Sequence, residues 1–440
     1  MATSKKTNGE SPLNQGDCAL EISSAEAVFA HFIVGNVKSY TVDHWKKDIQ
    51  LAADAGIDGF VLNIATPWDG PIAAQVGNAF QAATDIGSKF KLLFSFDYLG
   101  GAGPWPSSDI IEILQGYGSH PAHYKHNNKP LVSTFEGVAN ANDWPAIHAS
   151  VPGGISFLPD WTSLGPGGFA AHLDKVDGAF SWDMWPEGPN SMSTTKDKAW
   201  QSTLGSKAYM MGVSPWFFTN LPGYGKAWTW RGDDLWHQRW QQVLEVKPAF
   251  VQIVTWNDYG ESHYIGPIFD DGIPRGGNTN AHPYVDNMPH DHWRDILPYY
   301  IAQYKNGGAP PAVSNDKLSY WYRLTPAAAG STSGVTGNTC AFQRCYNPSE
   351  IVQDKVFVTT LVKSRATLKI QIGANPPSAF ELLGAGVHHF STPFSGQTGA
   401  VTIWIERDSK PVVSSTGKQI SARPENGVTN FNAWVGGASN

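Results

Sequence analysis

The chain has 440 residues, 41% apolar and 16% charged, with a net charge of −7. That length exceeds one ordinary core, and that composition excludes a disordered chain. The negative balance argues against an electrostatic grip on nucleic acid or an anionic membrane, and no apolar run is long enough to span a bilayer.

In chain order, residues 1–24 read as a flexible polar tail, and Met1 to Lys6 lack the apolar core of a signal peptide. Eight strand-like runs follow: Val28–Gly35, Gly59–Ala65, Lys91–Leu99, Pro130–Gly137, Gly154–Trp161, Gly178–Trp185, Ala208–Phe218 and Phe250–Glu261. Helical patterns lie between several of them. Val42–Ala55 follows Thr41 as N-cap and aligns Trp45, Ile49 and Ala52. Pro71–Ile86 opens on proline and aligns Ile72, Val76, Phe80 and Ala83; Asp109–Gln115 and Leu235–Glu245 behave alike. Strand–helix alternation of this kind over roughly 250 residues predicts a (β/α)8 TIM barrel across 25–308.

The long stretch Tyr264–Asp291 is rich in Gly, Pro, Asn and Asp and reads as a functional or mobile loop. Asp291–Tyr304 reads as a closing helix, and Gly307 to Pro311 as a linker. Beyond it, Lys355–Val362, Ala366–Ile372, Val401–Glu406 and Phe431–Val435 alternate with turns, which predicts a C-terminal β-sandwich over 309–440. It could bind carbohydrate through Trp404 or Trp434, or only buttress the barrel. Of three cysteines, Cys340 and Cys345 could close a small loop, leaving Cys18 over.

Several strand runs end in a polar residue: Asn36, Asn63, Asp97, Glu136, Asp160, Asp183, Asp258 and Glu261. In a barrel these ends converge on the face where active sites lie. Some would instead cap the following helix. The densest segment is Trp256-Asn257-Asp258-Tyr259-Gly260-Glu261-Ser262. Paired carboxylates beside aromatic rings suit glycosidic cleavage, one acid protonating the leaving oxygen while the other carboxylate activates water or attacks. Eighteen tryptophans supply faces that stack on sugars or fill cores. Trp182, Trp185, Trp216 and Trp256 stand at strand ends and are candidates for the cleft, with Tyr259 and His263 beside them. His31 is a further candidate donor.

Phe29–Asn36, Asp54–Phe60, Ser95-Phe96-Asp97, Ser181-Trp182-Asp183 and Trp256–Ser262 together resemble glycoside hydrolase family 71, the fungal endo-α-1,3-glucanases or mutanases. The resemblance implies hydrolysis of fungal cell-wall α-1,3-glucan with inversion; no cofactor is expected, and the protein is expected to be a monomer. It implies that Asp258 and Glu261 are the catalytic pair. The related endo-α-mannosidases have a similar Trp-Asn-acid-x-x-Glu segment, which by analogy makes Glu261 the general acid and Asp258 the base. Glu261 should then hold a raised pKa, and the two carboxyls should stand about 6.5–9.5 Å apart. Three alternatives stay open: another α-glycan such as α-mannan, a non-catalytic glycan binder, and a metal-dependent barrel enzyme. The last lacks a His-Glu-x-x-His spacing.

Overall fold

The structure, a computed structural model, describes residues 26–87, 89–341 and 343–440. The tail expected over 1–24, with Cys18, lies outside them. Eight strands form one curled parallel sheet: β1 (Ala27–Ile33), β2 (Gly59–Thr66), β3 (Lys91–Gly101), β4 (Lys129–Phe135), β5 (Ser156–Phe157), β6 (Gly178–Ser181), β7 (Ala208–Val213) and β8 (Phe250–Ile253). Their order is β5-β4-β3-β2-β1-β8-β7-β6. Beyond β5, Asp177 N donates to Phe157 O at 2.9 Å and Phe180 N to Pro159 O at 3.0 Å. Asp160 bridges Phe135 on one side and Phe180 on the other.

The strands are almost continuously apolar because both faces are covered. Phe29, Val61, Leu93, Leu131, Phe180, Met210 and Phe250 meet inside the curl. Phe32, Phe60 and Phe94 face outward onto Trp45, Phe80 and Phe90. Helix α1 (Val42–Asp54) starts as its sequence predicts, with a capping box between Thr41 and His44, and buries Trp45, Ile49 and Ala52. Helix α2 (Gly70–Asp85) is capped by Asp69, whose side chain accepts from Ile72 N at 3.1 Å.

Several strand runs stop early, those expected to reach Trp161 and Trp185 ending at Phe157 and Ser181, and two further such differences shape the site. The run expected over Ala208–Phe218 ends at Val213, because Pro215 cannot donate to a neighbouring strand. The chain then turns out into a hairpin, Phe218–Leu221 against Lys226–Thr229. The run expected over Phe250–Glu261 ends at Ile253. From there Asn257 continues the pairing with its side chain, accepting from Ile33 N at 2.8 Å and donating to Ile33 O at 3.0 Å.

The C-terminal part holds two four-stranded antiparallel sheets. Leu318, Tyr320 and Val358 of one sheet share a core with Leu368, Ile370 and Ile403 of the other. Ala366–Ile372 alternates buried and half-buried residues, the pattern of a sheet wet on one face. The strand expected over Phe431–Val435 begins only at Trp434. Cys340 and Cys345 are disulfide-bonded. The two parts interlock: Thr336–Gly337 pairs with Trp228–Thr229 of the hairpin, and Trp321 Nε1 donates to Asp233 O at 2.7 Å.

Candidate active site

The turn after β8 is built by its own polar side chains. Asp258 caps the short turn Tyr259–Glu261, its Oδ1 accepting from Glu261 N at 3.1 Å. Asp258 N donates to Thr255 Oγ1 at 2.9 Å. From β1, Trp256 N donates to His31 O at 2.7 Å, and Asn36 Nδ2 donates to Asn257 O at 3.0 Å. Behind the turn, Trp256 Nε1 donates to buried Asp48 at 3.0 Å, and Tyr40 OH donates to the same oxygen at 2.9 Å. One oxygen each of Asp258 and Glu261 and one nitrogen of His263 lie within 4.8 Å of one another. Capping draws the Asp258 carboxylate back over its own turn, toward Glu261.

The electrostatics of the pair lean against the expected order of acid and base. Burial alone would raise the pKa of Glu261, but Lys226 and His263 together hold it below the ordinary carboxylate range. Lys226 Nζ sits 2.6 Å from Oε1, and His263 Nε2 lies 3.0 Å from Oε2. Asp258 is pushed up, first by burial and then by the neighbouring Glu261 charge. Both directions favour a shared proton on Asp258 over Glu261. His31 is buried, hydrogen-bonded to Gln252 at 2.8 Å, and held near 3 by burial and by His263. It stays neutral in ordinary buffers.

The other expected residues divide into three groups. Asp97 ends the core of β3, accepts from Leu99 N and Gly100 N, and is raised by burial. Asn63 hydrogen-bonds it and Lys226 offsets part of the burial, so Asp97 and Asn63 join the Asp258–Glu261 cluster. Half-buried Trp182 and Trp185 flank it, their rings 5.3 Å from His31 and 6.0 Å from His263.

Glu136, Asp160 and Asp183 form a second group on neighbouring strand ends. Glu136 accepts from Ser163 N at 2.9 Å, and Asp183 from Trp200 Nε1 at 2.9 Å and Lys196 Nζ at 3.2 Å. Asp160 is fully buried and accepts from Thr162 N at 3.1 Å. Burial and the Glu136 charge hold it well above the carboxylate range. Three expected cleft aromatics are not available to a ligand. Trp216 is buried with Nε1 donating to Phe431 O, Trp256 is buried on Asp48, and Tyr259 is buried between Pro267 and Phe269. Asn36 is likewise occupied with the loop backbone.

Lys226 and Asp48 were not legible as site residues. Lys226 follows a Pro-Gly-Tyr-Gly turn, a hairpin signal that says nothing about what the next side chain meets.

The sequence also contains a His-x-His spacing, His290-Asp291-His292, but the two rings part. His290 is buried with its ring nitrogens on Tyr264 O and Ala433 O, each at 2.9 Å, and His292 pairs with Asp295. The Asp258, Glu261 and His263 atoms are close enough to hold a metal ion, yet Lys226 already brings a cation to Glu261. Asp270, His282 and Asp286 form a second such group, partly exposed, with Arg275 paired to Asp270. Among the described residues no helix is long and apolar enough to cross a membrane.

Comparison with known proteins places this geometry. The family model for glycosyl hydrolase family 71 matches residues 24–440. A mutanase of Penicillium rubens is 35% identical over 430 residues, 94% of this chain and 89% of that protein. A glucan endo-1,3-α-glucosidase of Schizosaccharomyces pombe is 33% identical over 425 residues, 93% of this chain and 94% of that protein. An ascus wall endo-1,3-α-glucanase of the same yeast is 30% identical over 365 residues, 79% of this chain and 81% of that protein.

Proposed function

This chain belongs to glycosyl hydrolase family 71, and we propose that it hydrolyses internal α-1,3-glucosidic bonds of fungal cell-wall α-1,3-glucan. The observation that carries the reading is the Asp258–Glu261 turn, two carboxylates of opposite electrostatic bias, within a chain matched over 93–94% of its length by relatives named for that activity. On this reading the curled sheet is a (β/α)8 barrel over 25–308, its strand ends carry the site, and 309–440 is a β-sandwich against it. The protein works as a monomer on a polysaccharide, without cofactor.

Asp258 holds the proton and gives it to the leaving oxygen. Glu261, already a carboxylate, takes the proton of the attacking water. Asp97, Asn63 and Glu136 are placed to grip hydroxyls, and Trp182 and Trp185 to stack on sugar faces. Inversion, as the resemblance implies, needs room for a water. Asp258 must then leave its 3.1 Å cap bond to Glu261 N when the sugar enters.

The test is incubation of purified protein with α-1,3-glucan, other α-glucans and α-mannan, followed by product analysis. Oligosaccharides of α-1,3-linked glucose should appear early and in a range of sizes. Products from α-mannan and none from α-1,3-glucan would overturn the substrate.

A further inference from the structure

Lys226 stands apart from the acids it serves. It is carried by the hairpin Phe218–Leu221/Lys226–Thr229, outside the parallel sheet, and its register partner is Leu221. Its ammonium reaches 2.6 Å to Glu261 Oε1 and also feels Asp258 and Asp97. No other Lys or Arg pairs with Asp97, Asp258 or Glu261 among the described residues. The hairpin is not free to swing. Its outer edge carries Thr336–Gly337 from the C-terminal part, Asn338 N donates to Thr229 O at 2.7 Å, and Thr229 Oγ1 donates to Phe217 O at 2.9 Å. A Lys on a flexible surface loop would lose most of such an ion pair to solvent and side-chain entropy. Here the backbone is fixed on both sides, and Glu261 is only 14% exposed.

We propose that Lys226 is a positioning residue for the reaction, its ammonium anchoring one oxygen of Glu261 while His263 anchors the other. The two anchors fix the carboxylate's plane and leave its orientation no choice. The charged and titratable groups facing Glu261 are Lys226 from the hairpin, Asp258 and His263 from its own loop, and His31 from β1. His31 is held neutral and Asp258 opposes ionisation, so Lys226 is the permanent cation of the set. The mechanistic role rests on the hydrolase reading above, whereas the electrostatic role does not.

The experiment therefore has two arms, on Lys226→Met and Lys226→Arg. In the first, a carbodiimide, which attacks protonated carboxyls, is reacted with each protein at pH 5, and labelling of Glu261 is read by peptide mass spectrometry. Lys226→Met should raise labelling about tenfold or more, and Lys226→Arg should leave it near wild type. In the second, kcat and KM on α-1,3-glucan are followed against pH. Lys226→Met should lower kcat about 10²-fold with little change in KM, and should move the acid limb of the profile upward. Lys226→Arg should recover most of kcat. Unchanged labelling in Lys226→Met overturns the proposal, as does a kcat within twofold of wild type. Wild-type protein inactive on the glucan, with labelling still dependent on Lys226, would overturn the hydrolase reading and leave the ion-pair role standing.

Discussion

Replacing the two carboxylates one at a time by their amides separates catalysis from folding. In Asp258→Asn the new side-chain oxygen still accepts from Glu261 N, and Asn caps as well as Asp, so the turn should lose a few tenths of a kcal/mol at most. In Glu261→Gln the amide oxygen still accepts from Lys226, and the amide nitrogen can donate to His263 Nε2. The folded structure is therefore nearly unaffected, and the loss falls on the barrier. A general acid or base contributes about 10²–10⁴-fold, or roughly 3–5.5 kcal/mol at 1.36 kcal/mol per decade. Initial rates on α-1,3-glucan should fall by that amount in each variant, with the melting temperature of Asp258→Asn within about 2 °C of wild type and that of Glu261→Gln lower, because its neutral amide gives up the charge that Lys226 pairs with. An α-1,3-glucooligosaccharyl fluoride then reads the order of roles, because fluoride leaves without a proton. Asp258→Asn should keep turnover on the fluoride within about tenfold of wild type, and Glu261→Gln should not. The opposite pattern would refute the electrostatic assignment and mean that the glucan lifts Lys226 off Glu261 before chemistry. Wild-type rates on the glucan in either variant would remove that residue from the mechanism.

Three further outcomes follow from the geometry. Asp48, raised to about 6 by burial, is protonated more readily folded than unfolded, so its contribution is present below about pH 4 and is lost as pH rises through 6. Asp48→Asn should flatten the fall of stability between pH 4 and 7 by on the order of 3 kcal/mol, measured by denaturant unfolding at each pH; an unchanged slope would mean that Asp48 is not the group responsible. The first reducing sugar released should be the β-anomer by NMR, and early α-anomer would mean retention and overturn the single-displacement reading. Trp182→Ala and Trp185→Ala should weaken binding of an α-1,3-oligosaccharide by about 1–2 kcal/mol each, read by calorimetry; Trp216→Ala should instead lower stability, and equal binding losses from all three would contradict its burial.

Much of the parallel sheet was legible because strands buried on both faces read as apolar runs, and because Thr41 and Pro71 mark the starts of their helices openly. The carboxylate pair was legible for a local reason: both acids sit on one turn. What the sequence hid was everything settled across space. Nothing near Trp216 distinguishes a ring that stacks on sugar from one that donates to Phe431 O, a partner 215 positions away. The proton order depends on Lys226, 35 positions from Glu261 and carried by a hairpin in the stretch between the expected strand Ala208–Phe218 and the expected helix Leu235–Glu245, where no element was expected. The strands Lys317–Tyr322 and Lys410–Ile420 also escaped. The first is buried almost throughout and has no period, and the second is largely polar.

The strand Thr336–Gly337 has a consequence for the order in which this protein can become active. A ribosome that has finished residue 308 has delivered every acid at the strand ends, yet the hairpin holding Lys226 still has a bare edge. Trp216 still waits for the carbonyl of Phe431, and His290 for that of Ala433, both within the last ten residues of the chain. Domains of a nascent chain ordinarily fold from the N-terminus as they emerge. Here the wall beside Glu261 waits on residues 336–433, so hydrolytic competence should come only after these have been made, and truncation or nicking that removes them should silence the enzyme without touching Asp258 or Glu261.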